Sequence, residues 1–236
     1  VPVVIASTQT ATQAVFKEKA ASQNAPIYFA DQLYHLHRTN NSNQQFLEIE
    51  YTNALGTLQK FQSDLTGIYQ LKNITGVRCA INLLKEKFPK INNEIIASAL
   101  SKVKSLTGLK GRWEVLSENP LCIADTGHNE DGIQQILTQL TFCEYEQLHW
   151  VIGMVNDKDL NAVLALLPKN ASYYFCKPNI PRGLDEQILQ NTAQTFNLHG
   201  ACYASVQEAF DVAKMTAKNN DLVLVAGSTF IVAEII

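Results

Sequence analysis

Acidic, basic and amide side chains in this chain follow the ends of apolar, strand-like segments. Asp125 ends one such segment, and His128 and Asn129 come shortly after it. An acid, an imidazole and an amide at the carboxyl end of a buried strand lie where open α/β sheets place their ligands. The alternative is a strand-to-helix loop whose Asp only caps the next helix, a common role for that residue. These three residues alone leave both interpretations open.

Three further segments with polar side chains or glycine follow predicted strands. The carboxyl ends of parallel strands share one edge of a sheet, so acids, bases and glycine turns would gather there. This shared edge favours a functional site over isolated structural roles. The segments are residues 153–159 (GMVNDKD), 177–182 (KPNIPR) and 226–228 (AGS).

Each of these side chains also has a plain structural interpretation. Asp157 and Asp159 could mark a solvated helix start, because acids suit the positive end of the helix dipole. Arg182 could be a surface charge, Ser228 could cap the last helix, and His128 could hydrogen-bond its own loop. Taken one at a time, the structural interpretations are the stronger ones; their convergence on one edge argues for function.

Two different patterns of hydrophobic residues divide the chain. The first part predicts strands at 1–7 and 26–30 around a helix at 10–23. Residues 46–51 alternate with a period of two and pair with 58–61 across a turn at 53–56, which predicts a small antiparallel sheet. Helices are predicted at 70–87 and 93–104.

The second part alternates apolar strands with helical patterns. Strands separated by helices of this length predict βαβ units and a mainly parallel sheet with helices on both faces. We place the domain boundary in the glycine-containing segment 105–111, which gives domains at 1–106 and 107–236. The predicted strands are 121–125, 148–155, 173–177, 201–203 and 222–226, and the helices are 131–140, 160–167, 185–196, 206–218 and 229–235.

Composition excludes several classes of protein. A net charge of −3 and a pI near 6.0 provide no broad basic surface, which argues against nucleic acid as a partner. No apolar run is long enough to span a membrane, so no membrane partner is expected. Five scattered cysteines without a CxxC pair predict reduced thiols in a cytoplasmic protein and no zinc site.

Eight short segments occur in order along the whole chain: VPVVIAST followed by a helix, APIYFAD, 65–73 (LTGIYQLKN), 111–114 (GRWE), 125–129 (DTGHN), 153–159, 181–184 (PRGL) and 225–228 (VAGS). Together they resemble the folylpolyglutamate synthase/dihydrofolate synthase family of the Mur ligase superfamily. Tyr69 stands where that family usually has His, and Thr126 and Gly127 replace its Gly-Ala.

The resemblance implies a fold and a set of site residues. Residues 1–106 would end a P-loop-type central ATPase domain, and 107–236 would form a Rossmann-like domain. The family's ATP contacts map onto Asn73 at the adenine, Arg112 at the phosphates and Asp125 at the ribose. His128 would face the reacting phosphate or the incoming glutamate. Arg182 and Ser228 are candidates for the glutamate carboxylates.

The resemblance also implies an activity, the ATP-dependent addition of L-glutamate to dihydropteroate or folate through an acyl phosphate. No GxxxxGK[ST] loop occurs in the sequence. The Mg²⁺ ligands are therefore expected upstream of Val1, and the chain alone is expected to be inactive. Two alternatives remain: a muramyl-peptide ligase of the same superfamily, and a non-catalytic nucleotide-binding module. The segment 125–129 favours folate over the muramyl peptide.

Overall fold

The computed structural model describes residues 1–52, 58–156 and 160–236. The predicted turn at 53–56 and the acids Asp157 and Asp159 lie outside the described residues. The chain divides into two compact units, unit 1 (Val1–Gly108) and unit 2 (Leu109–Ile236). Among the described residues, no helix combines the length and the apolar character needed to cross a membrane.

The described residues of unit 1 form two small sheets and four α-helices. The elements are β1 (Val3–Ile5), α1 (Gln13–Ser22), β2 (Ile27–Phe29), a 3-10 turn (Ala30–Gln32), β3 (His35–Arg38), β4 (Leu47–Thr52), β5 (Leu58–Ser63), α2 (Gln70–Leu84), α3 (Asn93–Leu100) and α4 (Val103–Thr107). Strands β1 and β2 form a parallel pair, and the second sheet is antiparallel with the order β3-β4-β5.

The core of unit 1 follows from the alternation in β4. Leu47, Ile49 and Tyr51 are buried and pack with Ile74 of α2 and Ile96 of α3. Side chains on alternate positions of a strand point to the same face, so these three form one apolar surface. The predicted antiparallel sheet with one buried face is therefore confirmed.

The helix predicted at 93–104 is divided in two. The Asp64 carboxylate accepts hydrogen bonds from the amides of Val103, at 3.0 Å, and Lys104, at 2.9 Å. These amides begin α4, and an acid at a helix start satisfies donors that have no partner inside the helix. A contact from 39 residues away therefore interrupts the pattern that predicted one continuous helix.

The described residues of unit 2 form a six-stranded sheet flanked by helices. The elements are β6 (Glu114–Glu118), β7 (Leu121–Asp125), α5 (Glu130–Leu140), β8 (Leu148–Ile152), α6 (Leu160–Leu166), β9 (Ser172–Cys176), α7 (Glu186–Gln194), β10 (Gly200–Tyr203), α8 (Val206–Thr216), β11 (Leu222–Ala226) and α9 (Thr229–Ala233). The strand order is β10-β9-β8-β11-β7-β6, and all neighbouring strands are parallel except β6 and β7, which are antiparallel.

Helices cover both faces of this sheet, as predicted. One apolar cluster joins α5, α6 and α7 to one face and includes the fully buried Trp150. A second cluster joins α8 and α9 to the other face through residues such as Phe210 and Ile231. The central strands β8 and β11 are buried throughout, which explains their continuous apolar runs.

The order of strands places β11 between β7 and β8. The helix after β11 packs on one face, whereas the helices after β7 and β8 pack on the other. Open α/β sheets bind ligands in the crevice that forms where successive connections leave toward opposite faces. The turns after β7, β8 and β11 therefore form the candidate site of unit 2.

Candidate functional site

The Asp125 carboxylate binds two separate pieces of backbone. Asp125 is only 3% exposed. Its Oδ2 accepts a hydrogen bond from the Trp113 amide at 2.8 Å, and its Oδ1 accepts one from the Gly127 amide at 2.8 Å. An ionised acceptor makes such bonds about twice as strong as neutral ones. Asp125 therefore holds the segment before β6 against the turn after β7.

Arg112 lies between two residues that this arrangement fixes. Gly111 and Trp113 have positive φ angles of 68° and 52°. Such a conformation costs energy for a residue as large as Trp and persists only where surrounding contacts enforce it. The Trp113 ring is buried in the core, its amide binds Asp125, and the Gly111 carbonyl accepts from the Thr126 amide at 3.0 Å. The backbone of Arg112 is thereby held beside Asp125.

His128 makes a hydrogen bond within its own loop, as its structural interpretation in the sequence predicted. Its Nδ1 lies 2.8 Å from the Thr126 carbonyl oxygen. A carbonyl only accepts hydrogen bonds, so Nδ1 carries the proton in this contact. In the neutral ring, Nε2 is then the nitrogen that accepts a proton. The half-buried His128 is thus oriented with a defined tautomer.

The turn after β11 is joined to the turn after β7. The Gly227 amide donates to the Gly127 carbonyl at 3.1 Å. Ser228 is 3% exposed, and its Oγ accepts from the Phe230 amide at 3.2 Å, which caps α9. The predicted capping role of Ser228 is therefore present in the structure.

Arg182 reaches the same edge from the loop after β9. Its guanidinium carbon lies 5.0 Å from the centre of the Phe230 ring, a cation–π distance. Its carbonyl accepts from the Asn156 amide at 3.1 Å, which links this loop to the turn after β8. The Arg182 side chain itself is exposed.

A continuous series of contacts therefore joins the predicted site residues of unit 2. Arg112, Asp125 and His128 are linked through the turn after β7, and that turn is linked to Ser228 and, through the Phe230 ring, to Arg182. Asn73 belongs to unit 1. It lies exposed on α2, and its Nδ2 donates to Gln70 Oε1 at 2.9 Å.

Three residues of this edge were not among the site residues predicted from the sequence. Glu114 Oε2 accepts from the Gly111 amide at 3.2 Å, and the Phe230 ring lies beneath Arg182. The buried Thr126 Oγ1 has no hydrogen-bond partner among the described residues. Thr126 stands at a position where the sequence departs from the family pattern, and that departure was the sequence signal that could have identified it.

The described residues do not include a metal centre. Among them, no group of three or more His, Cys, Asp or Glu side chains could hold a metal ion. The side chains of the described residues therefore do not form a donor set that fits a magnesium ion.

The mainly parallel sheet, with polar side chains gathered at its carboxyl edge, is an α/β domain of the kind that places ligands at that edge. The family described as Mur ligase, glutamate ligase domain, matches residues 111–229, half of the chain. The chain belongs to this family, and the resemblance inferred from the motifs is confirmed.

Individual relatives agree with this assignment. The chain is 35% identical over 171 residues to a probable bifunctional folylpolyglutamate synthase/dihydropteroate synthase of Haloferax volcanii, covering 72% of this chain and 20% of that protein. It is 34% identical over 130 residues to the dihydrofolate synthase/folylpolyglutamate synthase of Escherichia coli, covering 54% and 30%.

Solved structures share the fold. The structure of E. coli FolC in complex with DHPP and ADP superimposes with a TM-score of 0.79 at 23% identity, covering 99% of this chain and 51% of that one. This likeness confirms the predicted α/β architecture. The chain thus spans about half of that solved structure and less than a third of either curated relative.

Proposed function

We propose that the protein carrying this chain is an ATP-dependent ligase that joins L-glutamate to dihydropteroate, folate or both. The observation that carries this proposal is the glutamate ligase domain at 111–229. The two relatives described above, both named as folylpolyglutamate synthases, support the folate substrate. All five cysteines are free thiols, which supports work in the reducing cytoplasm.

In the proposed reaction, phosphoryl transfer from ATP activates the folate carboxylate as an acyl phosphate, which the glutamate amine attacks with loss of phosphate. The residues of this chain bind and orient the reactants. Arg112 suits the ATP phosphates, because its guanidinium is a fixed cationic fork and its backbone is clamped on both sides.

Asp125 is assigned to the ribose hydroxyls. A carboxylate accepts up to about four hydrogen bonds, so its two backbone bonds are compatible with a ligand contact. The buried hydroxyl of Thr126 supports a polar ligand at this turn, because a small rotation of its side chain or of the turn would give that hydroxyl a partner. Asn73 is assigned to the adenine, whose edge an exposed amide can read.

The remaining residues are assigned to glutamate. Arg182 is exposed at the carboxyl edge, and its guanidinium matches a carboxylate. The Ser228 hydroxyl accepts from Phe230 through its oxygen, so its own hydrogen is the group it would offer to a carboxylate. With Nδ1 donating to the Thr126 carbonyl, His128 Nε2 is the nitrogen that can accept a proton, which suits a place beside the incoming amine or the reacting phosphate.

The test is an assay of the complete ligase with ATP, L-glutamate and either dihydropteroate or folate, with ADP release and product mass as readouts. Addition of glutamate to either pterin supports the proposal. Ligation only to a nucleotide-linked muramyl peptide would instead identify a cell-wall ligase. Nucleotide binding without ligation would identify a non-catalytic module.

A matched pair of variants tests the site itself. Arg112→Gln should lower ATP-dependent turnover by about a hundredfold, on the scale of a lost charge-stabilising contact in a transition state. Lys110→Gln removes an exposed positive charge two residues away and should leave turnover near that of the parent. Equal effects of the two substitutions would contradict the assigned role of Arg112.

A further inference from the structure

The loop after β9 is fastened to the rest of unit 2 from two sides, and the turn after β8 provides the first. The Asn156 amide donates to the Arg182 carbonyl at 3.1 Å, and the Leu184 amide donates to the Met154 carbonyl at 2.9 Å. These two bonds fix the backbone around Arg182. The side chain of Arg182 is exposed, so its position depends on other contacts.

Helix α9 provides the second side. The centre of the Phe230 ring lies 5.0 Å from the guanidinium carbon of Arg182. Glu234 Oε1 accepts a hydrogen bond from the Asn179 amide at 2.8 Å. Phe230 and Glu234 are four residues apart, at the start of α9 and directly after it, so they lie on the same side of this helix. Glu234 therefore holds the first part of the loop, and Phe230 holds the arginine near its end.

The contact between Phe230 and Arg182 differs from an ion pair in one respect. An aromatic ring attracts a cation through its quadrupole, and it carries no net charge. The Phe230 ring therefore holds the guanidinium without cancelling its positive charge. Because Arg182 is exposed, an anion from solution can reach it.

Order in the free protein affects how tightly a long side chain binds a ligand. An arginine has many rotamers, and a ligand that must select one of them loses affinity through the freedom that the side chain gives up. A side chain that is already held when the ligand arrives gives up less of that freedom. The Phe230 contact therefore favours the binding of an anion at Arg182 even where the ring does not contact the ligand.

We propose that Phe230 is a positioning residue for glutamate, because its ring holds the Arg182 guanidinium so that the glutamate carboxylate meets an ordered cation. Guanidinium and carboxylate are matched in shape, and their hydrogen bonds are charge-assisted. Glu234 supports the arrangement by anchoring the same loop through the Asn179 amide. The inference rests on the proposed assignment of Arg182 to glutamate, and Phe230 acts through Arg182 without contacting the substrate.

The test measures the KM values of the complete ligase for L-glutamate and for ATP. Phe230→Leu removes the ring and keeps an apolar side chain. The glutamate KM should rise about two- to fivefold, the value of one cation–π contact at an exposed site, while the ATP KM stays unchanged. Phe230→Met repeats the comparison with an unbranched apolar side chain. Phe230→Tyr keeps the ring and should retain the glutamate KM of the parent.

A double-mutant comparison separates positioning from a general structural role. If Phe230 acts through Arg182, Phe230→Leu has no further effect once Arg182 is replaced. Arg182→Gln and the double variant should therefore have the same glutamate KM. Phe142→Leu is the matched control, because it makes the same substitution at a phenylalanine that is 50% exposed and follows the far end of α5. It should leave both KM values unchanged.

NMR of the arginine side chains tests the same contact without turnover. The ¹⁵Nε–¹Hε signal of Arg182 in the 236-residue chain is assigned with the Arg182→Gln variant. Its heteronuclear NOE should indicate restricted motion in the parent and in Phe230→Tyr, and faster motion of larger amplitude in Phe230→Leu and Phe230→Met.

The possible results distinguish this inference from the proposed function. A parent ligase that does not add glutamate to a pterin substrate overturns the proposed function and this inference with it. If the parent adds glutamate and Phe230→Leu leaves the glutamate KM unchanged, only the role of Phe230 is overturned. Additive effects of Phe230→Leu and Arg182→Gln on the glutamate KM overturn that role too, as does equal motion of Arg182 in the parent and in Phe230→Leu.

Discussion

Replacing Asp125 with asparagine changes one oxygen to an NH₂ group while keeping the size of the side chain. In the folded protein, both oxygens of Asp125 accept backbone amides at 2.8 Å. The asparagine can accept only one of them, so one buried amide loses its acceptor and faces an NH₂ group instead. The remaining bond also loses its charge assistance.

The expected cost follows from these contacts. Hydrogen bonds to charged groups contribute about 1.5–3 kcal/mol, and a buried donor left unpaired costs about 1–3 kcal/mol. The two figures describe the loss of the same hydrogen bond, so they are not added. We therefore expect Asp125→Asn to lower the free energy of unfolding of unit 2 by about 2–3 kcal/mol. With a urea slope of about 2 kcal/mol per M, the unfolding midpoint should fall by about 1–1.5 M.

Tryptophan fluorescence reports this change selectively. The only two tryptophans of the chain, Trp113 and Trp150, both lie buried in unit 2. The control is Asp211→Asn on α8, where the exposed carboxylate accepts a hydrogen bond from the Gln207 side-chain amide, four residues away, at 2.9 Å. That substitution should change stability by less than about 0.5 kcal/mol.

The reasoning would be refuted by an Asp125→Asn midpoint within about 0.2 M of the parent, because that interval corresponds to less than about 0.5 kcal/mol. The same outcome would show that the hydrogen bond between Asp125 and the Trp113 amide does not enforce the positive φ angle of Trp113. An equal loss of unfolding free energy in Asp125→Asn and Asp211→Asn would also refute the reasoning, since a general effect of losing a carboxylate would then explain both changes.

Three other predictions test different parts of unit 2 and of the ligase. Burial raises the pKa of Asp221, but hydrogen bonds from the Lys218 amide and His149 outweigh it and lower the pKa below its usual 3.8. The stabilisation from Asp221 is therefore present above that value and is lost as pH falls through the folded pKa. The urea midpoint of Asp221→Asn should vary less with pH than the parent's between about pH 5 and 2, and an equal pH dependence would contradict this. Gly153→Ala would place a Cβ 2.6 Å from a carbonyl oxygen of the neighbouring strand and should lower the free energy of unfolding by about 1–3 kcal/mol, measured by the same fluorescence assay; an unchanged midpoint would show that the turn after β8 relaxes freely. In the complete ligase, Arg182→Gln should raise the KM for glutamate about tenfold or more without changing the KM for ATP, and an unchanged glutamate KM would remove Arg182 from that site.

Local patterns predicted much of the fold. The bounds of β7 and β11 agree with the sequence prediction. Each strand begins with at least four consecutive apolar residues, and polar or turn residues border that run. The alternation of Leu47, Ile49 and Tyr51 likewise predicted a strand with one buried face. In both cases the information lies within a few neighbouring residues.

Contacts between distant residues were not predictable in this way. The Asp64 carboxylate binds amides 39 and 40 residues later in the sequence and so separates α3 from α4, and no local pattern predicts those bonds. The shared edge of unit 2 was anticipated from strand ends, and the structure brings Asp125, His128 and Ser228 onto linked turns there. Gly111 and Trp113, on either side of Arg112, have left-handed backbone, and the Asp125 carboxylate that binds the Trp113 amide lies 12 residues away in the sequence.

The place of β11 in the sheet sets an order of events during synthesis on the ribosome. Strands β7 and β8 flank β11 and are made about 70 residues or more before it. Until residues 222–226 emerge, the growing chain holds two partial sheets, each with an apolar edge that lacks its partner. Such edges are templates for pairing with other chains. Rapid release of this last strand, or a chaperone that covers the two edges, would therefore govern the yield of native protein.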